Sequence, residues 1–350
     1  KSIYFSVDKF FTYGKLSKKD TNELLAGARI DVDERKRNPL DFALWKASKE
    51  GEPWWDSPWG KGRPGWHIEC SAMAIKLLGE SIDIHGGGAD LIFPHHENEI
   101  AQSEAYTNKP FAKYWIHNGF ITIDKEKMSK SLGNFFTIRE VLDRYDAEVL
   151  RLFMLSSHYR SPLEFSEVQL KEAEASLERY YSTIARMDEF IALNATKDVA
   201  YEKNSDLINW FNSFIEKFKD RFEEAMDDDF NTALALGNTF ELIREINRFL
   251  DSKPEGQRAA TAILKAKEAL RPVKEVFNVF TKTPYQWNVE LLKIKKIPLT
   301  PEDIERRIIE RNTARKNKDW HRADKTRSEL LEMGVLLEDK KDGTTWKVRI

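Results

Sequence analysis

A strand that runs into three glycines and then into a helix constrains the fold of this chain most strongly. Residues 81–84 alternate as a strand does, Gly86, Gly87 and Gly88 follow, and Pro94 suits the first turn of a helix. Strand, glycine turn and helix together form the βα unit of a parallel sheet. We therefore predict an α/β domain in which the three glycines form the turn.

The same glycines, with Asp90 behind them, are candidates for a nucleotide site. Glycines let the backbone approach a ligand closely, and a following carboxylate can hydrogen-bond ribose hydroxyls. The structural alternative is a tight turn in which Asp90 caps the next helix. Three consecutive glycines exceed what a turn needs, which favours the nucleotide.

The one cysteine of the chain, Cys70, lies on a predicted helix over residues 66–78. It cannot close an internal disulfide, so it serves packing, nucleophilic chemistry or metal binding. If a helix begins near Pro94, His95 and Glu99 lie on one face, and thiolate, imidazole and carboxylate are all zinc ligands. The alternative is a small buried Cys70 beside a solvated helix start. Spacing alone leaves the metal as the minority interpretation.

A short loop over residues 127–131, which reads Lys-Met-Ser-Lys-Ser, carries Lys127 and Lys130. Two lysines on a small loop can neutralise the charge that builds on phosphates while a phosphoanhydride breaks. An exposed surface loop explains the same residues, and the two interpretations stay open at this point.

Bulk properties predict two or three soluble domains. The chain has 350 residues, of which 41% are hydrophobic and 33% are charged, and its net charge is -2. No apolar run approaches the ~18–20 residues that span a bilayer. A single cysteine without an export signal indicates the reducing cytoplasm. The chain also begins inside an apparent strand without an initiator methionine, which indicates part of a longer protein.

Different patterns follow one another along the chain. Residues 1–65 look irregular apart from a strand at their start, and residues 137–271 read as long amphipathic helices of a bundle that Pro272 and Pro284 close. A basic helix over residues 301–333 could follow a phosphate backbone or form a charged surface. A hairpin turned at Asp342-Gly343 ends the chain.

Taken together, these segments resemble a known family. Residues 127–131 resemble the KMSKS signature of class I aminoacyl-tRNA synthetases, and residues 65–71 and 85–99 are similar to cysteinyl-tRNA synthetases in particular. Shorter similar segments cover nearly the whole chain, at residues 13–17, 41–46, 145–148, 226–231 and 343–346. The resemblance implies an α/β plus α fold: a partial class I Rossmann-like catalytic domain, a helical bundle and a small C-terminal α+β module.

The resemblance also implies five segments with separate roles. They are a connective insertion (1–65), the C-terminal half of the Rossmann-like domain (66–115), a stem-contact region with the KMSKS loop (116–165), a tRNA-binding helical bundle (166–285) and an anticodon-recognition module (300–350).

The activity that the resemblance implies is ATP-dependent activation of cysteine to cysteinyl-adenylate and its transfer to tRNA(Cys). In the implied site, Cys70, His95 and Glu99 bind zinc, and Trp66 and His85 contact the cysteine. The adenosine of ATP lies at Gly86, Gly87, Gly88 and Asp90. Lys127 and Lys130 contact the phosphates of ATP, which Mg²⁺ accompanies.

This ligand set explains how cysteine could be chosen. A substrate thiolate can fill an open position on zinc, whereas a neutral hydroxyl is a far poorer ligand, so serine is rejected without an editing domain. Cys70 would then be a metal ligand and not a nucleophile.

Two family features do not occur in this chain: a His-Ile-Gly-His-type motif and a further zinc-binding cysteine that precede the other motifs. We therefore expect the chain to bind tRNA, and ATP weakly, but to activate little or no cysteine.

Two alternative functions remain open. A cysteine–amino sugar ligase of mycothiol synthesis shares the zinc and KMSKS chemistry but has no use for residues 301–350, and the other alternative is a non-catalytic tRNA- or zinc-binding fragment. We also expect the protein to be a monomer that does not bind a membrane.

Overall fold

The computed structural model describes residues 1–18, 36–123, 126–127, 136–198, 204–340 and 343–350. These residues form two compact units, Lys1–Phe120 and Ile121–Ile350. Among the described helices, none is both long enough and apolar enough to cross a membrane.

The first unit combines a small antiparallel sheet with a parallel strand pair. The elements are β1 (Ile3–Phe5), β2 (Phe42–Ala47), β3 (Gly62–Pro64), α1 (Trp66–Leu78), β4 (Ile82–Gly88), α2 (Glu97–Thr107) and β5 (Ala112–Asn118). In the sheet, β2 lies between β1 and β3, and in the pair β4 runs parallel to β5. The predicted helix over residues 66–78 is confirmed, and it ends at Gly79, whose φ of 101° suits glycine.

The prediction of irregular structure over residues 1–65 is wrong in part, because the strands β2 and β3 form an antiparallel sheet with the expected first strand. Phe5 pairs with Phe42 in the sheet, and their rings stack at 4.9 Å. Val7 and Leu40 are buried with them. The strands pair across more than thirty intervening residues, so no local pattern in the sequence marks the partner of either one.

The predicted βα unit is confirmed, but the three glycines lie inside β4 and not in the turn after it. Gly86 stands opposite Ile116 and Gly87 opposite His117 in the parallel pair. A Cβ on Gly87 would lie 2.9 Å from the ring of His96, and one on Gly86 would lie 3.0 Å from the carbonyl oxygen of Ile116. The glycines therefore make room for the residues packed over the end of the strand.

The second unit is mainly helical. The elements are β6 (Ile121–Ile123), β7 (Glu126–Lys127), α3 (Ile138–Leu142), α4 (Ala147–Leu155), β8 (Leu163–Glu164), α5 (Glu167–Asn194), α6 (Ser205–Asp227), α7 (Thr232–Asp251), α8 (Gln257–Ala269), α9 (Arg271–Phe277), α10 (Pro284–Ile294), α11 (Pro301–Lys316), α12 (Trp320–Glu332), β9 (Val335–Asp339) and β10 (Thr344–Val348). Three short strands form a sheet in the order β7-β6-β8, and β9 and β10 form an antiparallel hairpin at the end of the chain.

Pro272 and Pro284 do not close the bundle, which corrects the prediction. Pro272 lies in the first turn of α9 and Pro284 in the first turn of α10. At that position the backbone N–H that proline lacks would have no partner within the helix, so proline is tolerated. Val273 of α9 and Trp287 of α10 are fully buried in the same hydrophobic core as the longer helices. The two prolines therefore begin helices of the bundle.

The C-terminal segment shares that core as well. Ile304 of α11, Leu330 of α12 and Val348 of β10 belong to one hydrophobic cluster with the bundle helices. The predicted basic helix is two helices, because Lys318 takes a left-handed φ of 60° between them. The predicted hairpin is confirmed, although Asp342 of its turn lies outside the described residues.

Candidate metal and substrate site

Helix α1, helix α2 and the helical turn that leads into α2 bring together the three predicted zinc ligands: Cys70 lies on α1, His95 in the turn and Glu99 on α2. One ligand atom each of Cys70, His95 and Glu99 lies within 4.8 Å of the other two. His95 and Glu99 stand one helical turn apart, with His95 Nε2 3.8 Å from Glu99 Oε1. Cys70 is partly buried, and the other two side chains are buried. The predicted placement of His95 and Glu99 on one face is confirmed.

Glu99 carries the strongest indication that a cation belongs at this position. One carboxylate oxygen, Oε2, lies 3.0 Å from Nε2 of His85. The other, Oε1, is buried and accepts no hydrogen bond from the described residues. A buried carboxylate oxygen without a partner is costly, and a missing ion is a common reason for one. The three donors therefore fit zinc, which binds thiolate, imidazole and carboxylate.

The Cys70 thiol is suited to metal binding and not to nucleophilic attack. Burial raises its pKa, and the negative charges of Glu99 and Glu69 raise the pKa further. Without a cation the thiol is therefore protonated at neutral pH, and a thiol is a weak nucleophile. A divalent cation reverses this balance, because it favours the coordinating thiolate.

Four further histidines surround the three ligands. Nδ1 of His67 lies 2.9 Å from Nδ1 of His95, and Nδ1 of His96 lies 2.9 Å from Nε2 of His117. The pKa of His67 is lowered to about 4 and that of His96 to about 3, and in both cases burial is the largest cause. These imidazoles are therefore neutral at physiological pH, the form in which histidine donates and accepts hydrogen bonds.

Sequence reasoning missed part of this shell. His85, His96 and Glu99 form a second group whose ligand atoms lie within 4.8 Å of one another, within the part of the chain that the structure describes. The sequence does show that five histidines lie close together between positions 67 and 117. It does not show which of their rings come into contact, because that depends on how β4 pairs with β5.

The two predicted cysteine-binding residues lie beside the three ligands. The ring of Trp66 lies 4.4 Å from that of His95 and is 56% exposed, so it stands at the open side of the site. His85 lies next to Glu99 and packs against Trp115 at 4.9 Å. Their contacts with a substrate stay predictions.

The structure places the predicted ATP residues only in part. A Cβ on Gly88 would lie 2.6 Å from Oδ1 of Asp90, so the Asp90 carboxylate folds back over the end of β4. The backbone of Lys127 pairs with Thr122 between β6 and β7. Lys130 lies outside the described residues. The nucleotide roles of all these residues stay predictions.

Residues at the start of α2 that the sequence did not single out hold a distant loop in place. Glu97 is fully buried, and one oxygen accepts from the backbone N–H of Gly14 at 2.9 Å and the other from that of Ser17 at 2.9 Å. The Tyr13 hydroxyl donates to Asn98 at 2.5 Å. The helix that carries Glu99 is thereby fixed to residues 13–17.

Substituting Gly87 with alanine is expected to destabilise the protein by about 1–3 kcal/mol, because the added methyl group overpacks the rings above β4. The Cβ would stand 2.9 Å from both the His96 ring and Leu91. The free energy of unfolding in urea measures the effect. Gly237→Ala is the control: nothing lies within 4 Å of its Cβ, so this helical substitution should be neutral or stabilising. Equal effects of the two substitutions would contradict the packing argument.

Comparisons with known proteins agree with this geometry. Residues 1–175 match the family model of the class I (C) tRNA synthetase catalytic domain, residues 221–281 that of the DALR domain, and residues 298–346 that of the cysteinyl-tRNA ligase anticodon binding domain. Fold and site thus define a class I aminoacyl-tRNA synthetase.

Curated relatives narrow the class to one family. The cysteine–tRNA ligase of Thermodesulfovibrio yellowstonii is 62% identical over 352 residues, which cover 100% of this chain and 71% of the relative. The cysteine–tRNA ligase of Geobacter metallireducens is 57% identical over 350 residues, which cover 99% of this chain and 71% of that relative. This chain belongs to the cysteine–tRNA ligase family, as its motifs predicted. Among solved structures, the LeuRS–tRNA–LeuAMS complex of Agrobacterium radiobacter shares 11% identity at a TM-score of 0.48, over 72% of this chain and 33% of that one.

Proposed function

We propose that this chain serves the ATP-dependent joining of cysteine to tRNA(Cys), and that its own contribution is to select the cysteine thiol at a zinc site. Membership of the cysteine–tRNA ligase family supports the reaction and the use of ATP. The observation that carries the selection step is the buried, unpartnered Oε1 of Glu99 beside Cys70 and His95.

In this proposal Cys70, His95 and Glu99 hold one Zn²⁺. Zinc bound there would supply a coordination position that a thiolate fills well and a neutral hydroxyl fills poorly. His85 holds Oε2 of Glu99, so the carboxylate keeps its other oxygen turned to the metal position. Trp66 stands on the exposed side of His95 and walls the place where the amino acid would lie.

Other predicted residues would handle the remaining substrates. We assign Gly86, Gly87, Gly88 and Asp90 to the adenosine of ATP. We assign Lys127 and Lys130, together with Mg²⁺, to the phosphates of ATP. Their positive charge offsets the negative charge that develops on the phosphates while the adenylate forms.

We further propose that the helical bundle and the C-terminal segment bind tRNA(Cys). The match of residues 298–346 to an anticodon binding domain favours tRNA over the amino sugar of a mycothiol-type ligase, which needs no such domain. We also infer a monomer that works in the cytoplasm, where a reducing environment keeps both Cys70 and free cysteine as thiols.

The direct test compares the binding of cysteine and serine to the zinc-loaded chain, with calorimetry as the readout. Cysteine should bind about 10²–10³-fold more tightly, since one ligand contributes about 3–4 kcal/mol of a typical zinc-binding energy. Equal affinities would refute thiol selection by this site.

ATP–pyrophosphate exchange tests the remaining expectation. Because the sequence lacks a His-Ile-Gly-His-type motif, we expect little cysteine-dependent exchange from these 350 residues. Robust cysteine-dependent exchange would contradict that expectation while leaving thiol selection intact.

A further inference from the structure

A buried polar cluster between α1 and α2 has no role in the proposal so far. Its members are Ser71 on α1 and Gln102 and Ser103 on α2, and each residue is at most 6% exposed. Nε2 of Gln102 donates to the backbone carbonyl of His67 at 2.6 Å and to the Ser71 hydroxyl at 2.6 Å. The Ser103 hydroxyl also donates to that of Ser71, at 2.9 Å. The cluster therefore joins the two helices.

This cluster touches each proposed ligand or a direct neighbour of it. Ser71 follows Cys70 in the sequence, and its hydroxyl lies 3.5 Å from the backbone carbonyl oxygen of Glu99. The carbonyl that the amide binds is that of His67, and Nδ1 of the same residue lies 2.9 Å from Nδ1 of His95. One set of hydrogen bonds thereby connects the positions of sulfur, imidazole and carboxylate.

Hydrogen bonds can fix the spacing of these helices more closely than apolar contacts do. A hydrogen bond depends on distance and angle, whereas the hydrophobic effect has no direction. Metal–ligand distances vary by only about 0.2 Å in a well-formed site. Because Cys70 and Glu99 lie on different helices, a small slide of one helix would separate the sulfur from the carboxylate.

The glutamine at position 102 is not the residue that stability alone would favour. Its Oε1 atom is buried and accepts no hydrogen bond from the described residues. The amide cannot be reversed to pair this atom, since the His67 carbonyl only accepts hydrogen bonds and must face the NH₂ group. A buried acceptor without a partner costs stability, which an apolar side chain of the same shape would avoid. Gln102 therefore suits a role in geometry better than a role in stability.

We propose that Gln102, acting through Ser71 and His67, is a positioning residue that sets the distance between Cys70 and Glu99 for zinc. The inference rests on the proposed function, in which zinc selects the cysteine thiol. A tetrahedral zinc site needs its protein ligands at fixed distances and angles, so wrongly spaced ligands would bind the metal less tightly.

The test is Gln102→Met, which keeps an unbranched side chain of similar length and removes both the donor and the unpartnered acceptor. The urea midpoint of the metal-free variant should stay the same or rise, because the buried acceptor is gone and the His67 carbonyl keeps its partner within α1. Zinc affinity, measured by competition with a chromogenic chelator, should nevertheless fall about 10–100-fold, as it does when residues that orient metal ligands are replaced. A merely structural residue would give the opposite result, a loss of stability with zinc affinity intact.

Asn238→Leu is the control, because Asn238 is another buried amide that joins two helices. It exchanges hydrogen bonds with Arg221 between α7 and α6. This variant should lose stability in the second unit and keep its zinc affinity. Ser71→Ala removes another member of the cluster and should also bind zinc less tightly, so its zinc affinity decides the question if Gln102→Met does not fold.

Two kinds of failure can be told apart. Unchanged zinc affinity in folded Gln102→Met and Ser71→Ala, or an equal loss in Asn238→Leu, would overturn the inference and leave the proposed function intact. If the unaltered protein bound no zinc, or bound cysteine and serine equally when zinc-loaded, the proposed function would fail and the inference with it.

Discussion

Replacing Cys70 with serine is expected to lower the zinc affinity of the protein by about 10²–10³-fold, since each of four ligands contributes about 3–4 kcal/mol to a typical zinc site. The side chain is only partly buried, so the exchange of sulfur for oxygen should leave the fold intact. Metal content after dialysis and competition with a chromogenic chelator measure the loss. An unchanged zinc affinity in Cys70→Ser would exclude this thiol as a ligand.

Glu99→Gln tests the same site from the other helix. The amide cannot supply the second anionic ligand, so zinc affinity should fall by a similar factor. Glu69→Gln is its matched control, because it makes the same change at an exposed position one residue from Cys70. If both glutamate variants lost zinc equally, general electrostatics and not coordination would explain the effect.

Replacing Glu148 with alanine is expected to destabilise the second unit by about 3–5 kcal/mol, because it leaves several buried donors unpaired. The carboxylate is buried on α4 and accepts from the Tyr181 hydroxyl at 2.6 Å and from the backbone N–H groups of Phe280 at 3.1 Å and Thr281 at 3.0 Å. Lys282 lies 3.5 Å from it. A unit of this size should lose about 6–20 °C in melting temperature.

The pH dependence of stability provides a second measure of Glu148. Burial raises its pKa, but hydrogen bonds from Thr281 and Tyr181 and the charge of Lys282 outweigh burial, so the pKa lies below its usual value near 4.5. The carboxylate therefore stabilises the fold fully above that value, and the contribution disappears as pH falls through the lower folded pKa. The difference in unfolding free energy between the protein and Glu148→Gln should thus shrink on acidification.

Glu223→Ala is the control for both measurements, since this glutamate is exposed on α6 and such substitutions usually change stability by less than about 0.5 kcal/mol. A loss below about 1 kcal/mol in Glu148→Ala would contradict the role assigned to the buried carboxylate.

Local periodicity and contiguous motifs predicted the features that depend on neighbouring residues. Helix α1, the shared face of His95 and Glu99, the C-terminal hairpin and the family all follow from short stretches of sequence. A helical repeat or a motif carries this information within one or two turns, so no long-range contact has to be known.

Most of the features that failed depend on pairing between distant segments. The glycines of β4 looked like a turn because nothing near them shows that His96 and Ile116 will pack over the strand. Pro272 looked like the end of the bundle, although its position in the first turn of α9 is equally suited to a start. The contact of Glu97 with Gly14 spans 83 positions and leaves no local signal.

The central claim is that the metal held by Cys70, His95 and Glu99 receives the substrate thiol. The most direct measurement is the absorption spectrum of the cobalt(II)-substituted chain during titration with cysteine and, separately, with serine. Cysteine should intensify the thiolate-to-cobalt charge-transfer band, because a second sulfur joins that of Cys70, and serine should leave the band unchanged. Identical spectra with the two amino acids would contradict the claim.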